Sequence, residues 1–186
     1  MSRFEVIDTP FSEVKVLRRI ELEDSRGVFS RIFCAAELLE AGWVSQIAQA
    51  NYSLTRTAGT LRGMHYQQPP HAEMKIVTCL SGRILDVIVD IRRNSPTFLK
   101  AHSEELSSKN NKALLIPEGF AHGFQTLCEN VELIYLHSTE YVGSASMCIN
   151  PCDSRLAIDW PLKITEISPK DSDAPFLQEQ FQGIDY

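Results

Sequence analysis

The stretch KIVTCLSGRILDVIVDIR, residues 75–92, carries the strongest strand signal in the chain. Its two apolar runs, rich in Val and Ile, flank Ser81-Gly82, a dipeptide typical of a two-residue turn. We therefore predict two strands joined as a hairpin. The second run is apolar at Ile84, Leu85, Val87, Ile88, Val89 and Ile91, which is typical of a strand covered on both faces.

The segments around this stretch are short, rich in β-forming residues and separated by Gly and Pro turns. Residues 14–22 and 28–33 flank the turn signal EDSRG. The best helix signal is AAELLEAG, residues 35–42, which has good helix formers and ends with a glycine. The proline-punctuated residues 155–176 are expected to wrap the body of the fold. This organisation predicts an all-β sandwich or barrel.

Composition and charge exclude several classes of protein. The 186 residues suit a single domain, expected to span residues 1–186, and the net charge of −6 leaves no electrostatic footprint for nucleic acid. No apolar run approaches the ~20 residues that span a bilayer, so no membrane association is expected. The first residues show no secretory signal, and five scattered cysteines fit free thiols. We therefore expect a cytoplasmic protein.

Polar side chains interrupt four otherwise apolar strand segments. In a small barrel the inward-facing polar residues line a cavity, which is where a ligand fits. The four segments are residues 46–53, 61–67, 73–77 and 131–137. We predict that they surround one binding site.

His65, in the stretch RGMHYQQPP, is the first candidate for chemistry. A single histidine in a strand is more often structural, but three features favour a catalytic base. Lys75 follows ten residues later, past a turn, so both side chains could face one cavity. His122 stands between two glycines, where backbone approaches something closely, and Asp171 offers a carboxylate that could orient a histidine.

Tyrosines and arginines add candidate ligand contacts, although most such residues only pack or face solvent. Tyr135 and Tyr141 are six residues apart, a spacing that puts both on one face of an extended strand. A phenol opposite a histidine could donate a proton, and a second aromatic ring could stack on a flat ligand. In a pocket, Arg26 and Arg62 could bind a diphosphate through paired hydrogen bonds.

Two other kinds of site have weaker support. A cupin-type metal site would use His65, Gln67, Glu73 and His122, but glutamine is a poor ligand for a transition metal. The last two cysteines lie four apart without histidines at zinc spacing. A serine or cysteine nucleophile lacks a GxSxG motif or a base beside it in sequence. We expect no bound metal.

Taken together, several stretches resemble the dTDP-4-dehydrorhamnose 3,5-epimerase (RmlC-like) family of sugar-nucleotide epimerases. They follow the family's order and near-family spacing from about residue 14 to residue 175. The resemblance implies a cupin-like jelly-roll barrel with a short helix, which forms a homodimer and needs no cofactor. The matching stretches are DSRGVF, QANYSL, GTLRGMHYQQPP, KIVTCLSGRILDVIVDIRRNSPTF, IPEGFAHGFQTL, VELIYLHSTEY, IDWP and ISPKD.

The resemblance also implies a reaction at the carbons beside a ketone, C3 and C5 of dTDP-4-dehydro-6-deoxyglucose. His65 is then the base that removes a proton, and Asp171 holds its ring. Lys75 faces the oxygen where negative charge develops, and Tyr135 returns a proton from the opposite side. The substrate-binding residues that it implies are Arg26, Gln49, Asn51, Arg62, His122, Tyr141 and Lys170.

Two departures from the family pattern leave the substrate open. Arg31 stands where the family commonly has a glutamate, and we expect it to contact substrate and influence the choice of base. Gly143, Ser144 and Ser146 replace a proline and acidic residues. The alternatives are a single-site 3- or 5-epimerase on a dTDP-, CDP- or GDP-linked 4-keto sugar, and an inactive sugar-nucleotide-binding protein.

Overall fold

The computed structural model describes residues 2–186, which are almost entirely strands and loops. None of the helices among these residues is long and apolar enough to cross a membrane. The elements are β1 (Phe4–Asp8), β2 (Lys15–Arg19), β3 (Glu21–Asp24), β4 (Gly27–Ser30), α1 (Ala35–Leu38), β5 (Gln49–Thr55), β6 (Thr60–Gln67), β7 (Lys75–Ser81), β8 (Arg83–Asp90), β9 (Ala101–Ser107), β10 (Lys112–Ile116), β11 (Phe120–Thr126), β12 (Val131–His137), β13 (Ser146–Cys148), a 3-10 turn (Ser154–Leu156), β14 (Glu166–Ile167) and α2 (Pro169–Ser172).

The strands form two sheets packed face to face, which is the cupin-like jelly roll predicted from the sequence. The first sheet has the order β1-β2-β10-β7-β12-β5, and the second has the order β13-β6-β11-β8-β9. Strand β14 adds to β6 in parallel, at the start of that strand. Strands β3 and β4 pair only with each other, around the predicted turn at EDSRG.

The predicted hairpin at Ser81-Gly82 is wrong. Strand β7 pairs with β10 and β12 in the first sheet, whereas β8 pairs with β11 and β9 in the second. Gly82 has a positive φ of 79°, so the chain does turn sharply there. A tight turn can connect strands of two different sheets as well as the two strands of a hairpin. Here β7 and β8 each have two neighbours within their own sheets, so they do not pair with each other.

The main core lies between the two sheets, and strand β8 is buried on both faces as predicted. Its residues Ile84 and Ile88 point into the core, against Val77 and Leu114 of the first sheet. Its alternate residues, such as Val87, face the opposite way into a second apolar cluster. Burial on both faces explains why apolar residues follow one another in this strand instead of alternating with polar ones.

Irregular segments cover the outer faces of both sheets. Helix α1 is shorter than the predicted 35–42, and its Leu38 packs with Trp43 on the first sheet. The C-terminal segment covers the second sheet through Leu156, Trp160 and Leu177. This segment wraps the body of the fold, as its proline-punctuated sequence indicated.

Strands β6 and β11 approach each other closely where both contain glycine. A Cβ on Gly63 would lie 2.5 Å from the Cα of Gly123, and a Cβ on Gly123 would lie 2.7 Å from the carbonyl oxygen of Arg62. The close backbone approach predicted for GFAHGF is therefore confirmed. It brings His65 and His122 directly opposite each other on neighbouring strands.

Candidate active site

A cavity of about 290 Å³ opens between the two sheets. All four polar segments predicted from the sequence contribute to its wall, and β11 adds a fifth. Its lining includes Gln49, Asn51, Ser53, Arg62, His65, Gln67, Glu73, Lys75, His122, Phe124, Tyr135, His137, Tyr141, Ser146 and Lys170. Twelve residues are predicted above to act in catalysis or substrate binding. Nine of them are in this wall, and Asp171 lies directly behind it.

His65 and Asp171 form a hydrogen-bonded dyad. Nε2 of His65 lies 2.6 Å from Oδ1 of Asp171, while the other carboxylate oxygen accepts the backbone N–H of Gly63 at 3.3 Å. Burial acts to raise the pKa of Asp171, but the hydrogen bond and charge of His65 outweigh it and the pKa falls below its ordinary value. Because an ionised carboxylate only accepts hydrogen bonds, the neutral form of the His65 ring has its hydrogen on Nε2 and its lone pair on Nδ1. The His65 side chain is 39% exposed, so that lone pair belongs to a ring open to solvent and ligand.

Lys75 is held by a network that sequence reasoning missed. Its Nζ lies 2.8 Å from Oε1 of Glu73, and Oε2 of Glu73 lies 2.7 Å from Nδ1 of His137. Burial acts to raise the pKa of Glu73, but the hydrogen bond from His137 and the charge of Lys75 lower it to about 2. His137 is two residues from Tyr135 on β12, so the two-residue period of a strand would have placed it on the same face.

Tyr135 faces the dyad from the other sheet. It lies on β12 of the first sheet, whereas His65 lies on β6 of the second. Its hydroxyl is 3.4 Å from Oγ of Ser53. Burial, together with the charge of Asp86, raises the pKa of Tyr135, so the phenol stays protonated at neutral pH. The cavity therefore has a lone pair on one side and a proton donor on the other.

A second histidine–carboxylate pair joins His122, in the cavity wall, to Asp86 behind it. Nε2 of His122 is 2.7 Å from Oδ1 of Asp86, and both side chains are nearly inaccessible to solvent. Oδ2 of Asp86 has no hydrogen-bond partner among residues 2–186. Sequence reasoning identified His122 but not Asp86, which resembles any polar interruption of an apolar strand.

The cavity rim carries groups suited to a polar ligand. Arg62 and Lys170 contribute positive charge, and Nζ of Lys170 is 3.3 Å from Oγ of Ser146. Tyr141 is 60% exposed, and its backbone N–H donates to Gln49 at 2.9 Å. Strand β12 ends at His137, so the prediction that both tyrosines lie on one strand face is wrong, although both line the cavity.

Arg26 and Arg31 do not line the cavity of this single chain. Arg26 lies in the exposed β3–β4 turn, where it pairs with Asp24 at 2.6 Å. Arg31 pairs with Glu37 of α1.

Gln67 and Glu73, two residues of the alternative metal site, are engaged in other bonds. The amide of Gln67 bonds three backbone groups in the loop after β12 and the turn after β6. Glu73 bonds Lys75 and His137.

Comparison with known proteins identifies the family. The family model described as dTDP-4-dehydrorhamnose 3,5-epimerase matches residues 8–179. A dTDP-4-dehydrorhamnose 3,5-epimerase of Shigella flexneri is 37% identical, over 97% of this chain and 98% of that protein. A dTDP-4-dehydrorhamnose 3-epimerase of Streptomyces niveus is also 37% identical, over 84% of this chain and 75% of that protein.

A solved structure agrees with these relatives. The crystal structure of the 3,5-epimerase RmlC from Legionella pneumophila, in complex with dTDP-4-keto-L-rhamnose, superposes with a TM-score of 0.91 at 35% identity. The alignment covers 98% of each chain. The motif resemblance is thus confirmed, and the chain belongs to the dTDP-4-dehydrorhamnose 3,5-epimerase family.

Proposed function

We propose that this protein is an epimerase that inverts C3 and C5 of dTDP-4-dehydro-6-deoxyglucose, giving dTDP-4-dehydrorhamnose. The observation that carries the proposal is the His65–Asp171 dyad on one sheet facing the protonated Tyr135 on the other. Both carbons flank the C4 ketone, so one set of groups serves both inversions.

The first step is removal of a proton from a carbon beside the ketone. Nδ1 of His65 accepts the proton, and the C–H electron pair moves into the ring and onto the C4 oxygen as an enolate. Asp171 steadies the imidazolium that forms. The Lys75 ammonium provides a fixed positive charge in the cavity wall for the developing oxyanion.

The second step returns a proton from the opposite side. Tyr135 donates its phenolic proton to the enolate carbon, the C=O bond is restored and configuration inverts. The phenolate then regains a proton from water, and His65 releases its proton to water. The reaction exchanges protons without changing any oxidation state, so we propose that no redox cofactor takes part.

The rim residues supply substrate binding in this proposal. Arg62 and Lys170 attract the diphosphate, because their charges lie in the wall of the same cavity as the dyad. Tyr141, exposed at the cavity edge, stacks on the nucleotide base. Gln49, Asn51 and His122 add polar contacts around the sugar.

We also propose that two copies assemble as a homodimer. The β3–β4 hairpin exposes Val28 and Phe29, apolar side chains that a second copy would cover. Arg26 at the hairpin turn would then serve the cavity of the partner protomer, and Arg31 beside it would influence base choice. We propose a cytoplasmic location, supported by five free cysteines, which a reducing compartment keeps as thiols.

Inversion at C3 alone is the second candidate reaction. The Streptomyces niveus relative named as a 3-epimerase matches this chain at 37% identity, the same value as the Shigella flexneri 3,5-epimerase. The inactive binding protein has less support, since binding alone needs no histidine–carboxylate dyad opposite a phenol.

Proton NMR in deuterated water tests these alternatives with dTDP-4-keto-6-deoxyglucose as substrate. We expect the H3 and H5 signals both to disappear as solvent deuterium enters. Loss of H3 alone would identify a 3-epimerase. Loss of neither signal, repeated with the CDP- and GDP-linked sugars, would overturn the enzymatic proposal.

A further inference from the structure

A thiol lies beside the catalytic dyad and has no part in the proposed proton transfers. Cys148 on β13 is directly opposite His65 on β6, because these two strands are paired. Its Sγ lies 3.7 Å from Oδ1 of Asp171, the same oxygen that binds Nε2 of His65. Burial, with the nearby charge of Asp171, raises the pKa of the Cys148 thiol to about 12. The free thiol is therefore neither a nucleophile nor a base at neutral pH.

The three side chains converge as metal ligands do. One ligand atom from each of His65, Cys148 and Asp171 lies within 4.8 Å of the other two. Imidazole nitrogen, thiolate sulfur and carboxylate oxygen are the ligands that Zn²⁺ takes, at about 2.0 to 2.3 Å, which puts neighbouring ligand atoms about 3.3 to 3.6 Å apart in a tetrahedron. The Sγ···Oδ1 distance of 3.7 Å already matches. The Nε2···Oδ1 distance of 2.6 Å needs to open by less than about 1 Å once the shared hydrogen leaves.

We propose that His65, Cys148 and Asp171 form a site for a thiophilic divalent cation, Zn²⁺, whose binding switches the active site off. The switching effect rests on the proposed function, while the site itself rests on geometry alone. A second pocket, lined by both His65 and Asp171, gives the ion access, and water completes the coordination.

Inhibition follows because a metal ion on one nitrogen of the His65 ring determines whether the other nitrogen carries a hydrogen. Zn²⁺ takes the position of the hydrogen on Nε2, and in the neutral ring that hydrogen moves to Nδ1. Nδ1 then has no lone pair with which to accept a substrate proton. The thiol proton of Cys148 passes to solvent as the thiolate binds. Asp171, now a metal ligand, no longer steadies the imidazolium.

The first test uses Co²⁺, which occupies zinc sites and reports a bound thiolate through a sulfur-to-cobalt charge-transfer band in the near ultraviolet. We expect the band with the unaltered protein and with Cys152→Ser, since Cys152 is an exposed thiol four residues away. We expect no band with Cys148→Ser or Cys148→Ala. Absence of the band in the unaltered protein, or its persistence without Cys148, would overturn the site.

The second test measures epimerase activity against free Zn²⁺, each variant being compared with its own uninhibited rate. Cys148→Ser and Cys148→Ala should need at least about tenfold more Zn²⁺ for half inhibition, since losing even a group behind a metal ligand costs affinity on that scale. A chelator should restore the activity of the unaltered protein. Equal inhibition of all variants would mean that Zn²⁺ acts through the substrate diphosphate, which would overturn the switch. If no substrate turns over, the proposed function fails, while the cobalt band still tests the site.

Discussion

The molecule contains two histidine–aspartate pairs with nearly the same geometry and different surroundings. The His65–Asp171 distance is 2.6 Å and the His122–Asp86 distance is 2.7 Å. The His65 side chain is 39% exposed, whereas the His122 side chain is 6% exposed. A base has to exchange its proton with water, which the open His65 ring does, whereas the His122 ring lines the cavity but has almost no contact with solvent. The two pairs therefore share a hydrogen bond of similar length, and the exposure of the histidine decides which pair can act as the catalytic base.

The largest expected effect is on catalysis, from His65→Asn. This change removes the base while leaving a polar group beside Asp171, so we expect kcat/KM to fall by about 10³-fold or more. Exchange of H3 and H5 with deuterium measures the loss. Binding of dTDP, followed by calorimetry, should change by less than about threefold, because the diphosphate contacts lie elsewhere. Retained exchange would contradict the assignment of His65 as the base.

The matching change in the buried pair, His122→Asn, should act mainly on stability. The shorter amide does not reach the fully buried Asp86 carboxylate as the imidazole does, and a buried acceptor that loses its donor costs about 1–3 kcal/mol. Urea unfolding measures this cost, and His65→Asn serves as the control, with a smaller loss of stability expected. If His122→Asn instead stays stable and loses as much kcat/KM as His65→Asn, the division of roles between the two pairs is wrong.

A third histidine–carboxylate pair, His137–Glu73, extends the comparison to the pH dependence of stability. The pKa of Glu73 is lowered from 4.5 to about 2, so its stabilising contribution is complete above pH 4.5 and is lost as pH falls toward 2. Glu73→Gln removes this titration. From about pH 6 to about pH 3, the unaltered protein should lose more unfolding free energy than Glu73→Gln, by an amount on the order of 2 kcal/mol. Chemical unfolding at several pH values measures this difference, with Glu40→Gln at an exposed position as the control. Parallel losses in the unaltered protein and Glu73→Gln would contradict it.

The smallest expected effect concerns Ser168, which helps to hold Asp171 of the catalytic pair in position. Oγ of Ser168 accepts the backbone N–H of Asp171 at 3.2 Å, at the start of α2. Ser168→Ala should cost about 1 kcal/mol of stability, as loss of a helix cap usually does. We expect a fall in kcat with little change in KM, since Asp171 touches the base and not the substrate. A change in KM alone would place Ser168 in substrate binding instead.

The residues that lie in recognisable sequence motifs could be predicted from the sequence. His65, Lys75, Tyr135 and Asp171 were identified from motifs, and the fold brings three of them into one wall with Asp171 directly behind. Partners that depend on strand pairing were not predictable. Glu73 was considered only as a metal ligand, and its bond to His137 requires the register between β7 and β12 that places His137 opposite Lys75.

By itself, the sequence determined which segments become strands, that β8 is buried on both faces, and which side chains have the chemistry for proton transfer. These properties depend on residue type and on a two-residue period, both of which are local. Only the tertiary structure decided that β7 and β8 join different sheets, that one histidine is open and the other closed, and that Cys148 lies beside Asp171. Each of these depends on contacts between residues far apart in the chain, because sheet partners are selected by the packing of the whole core.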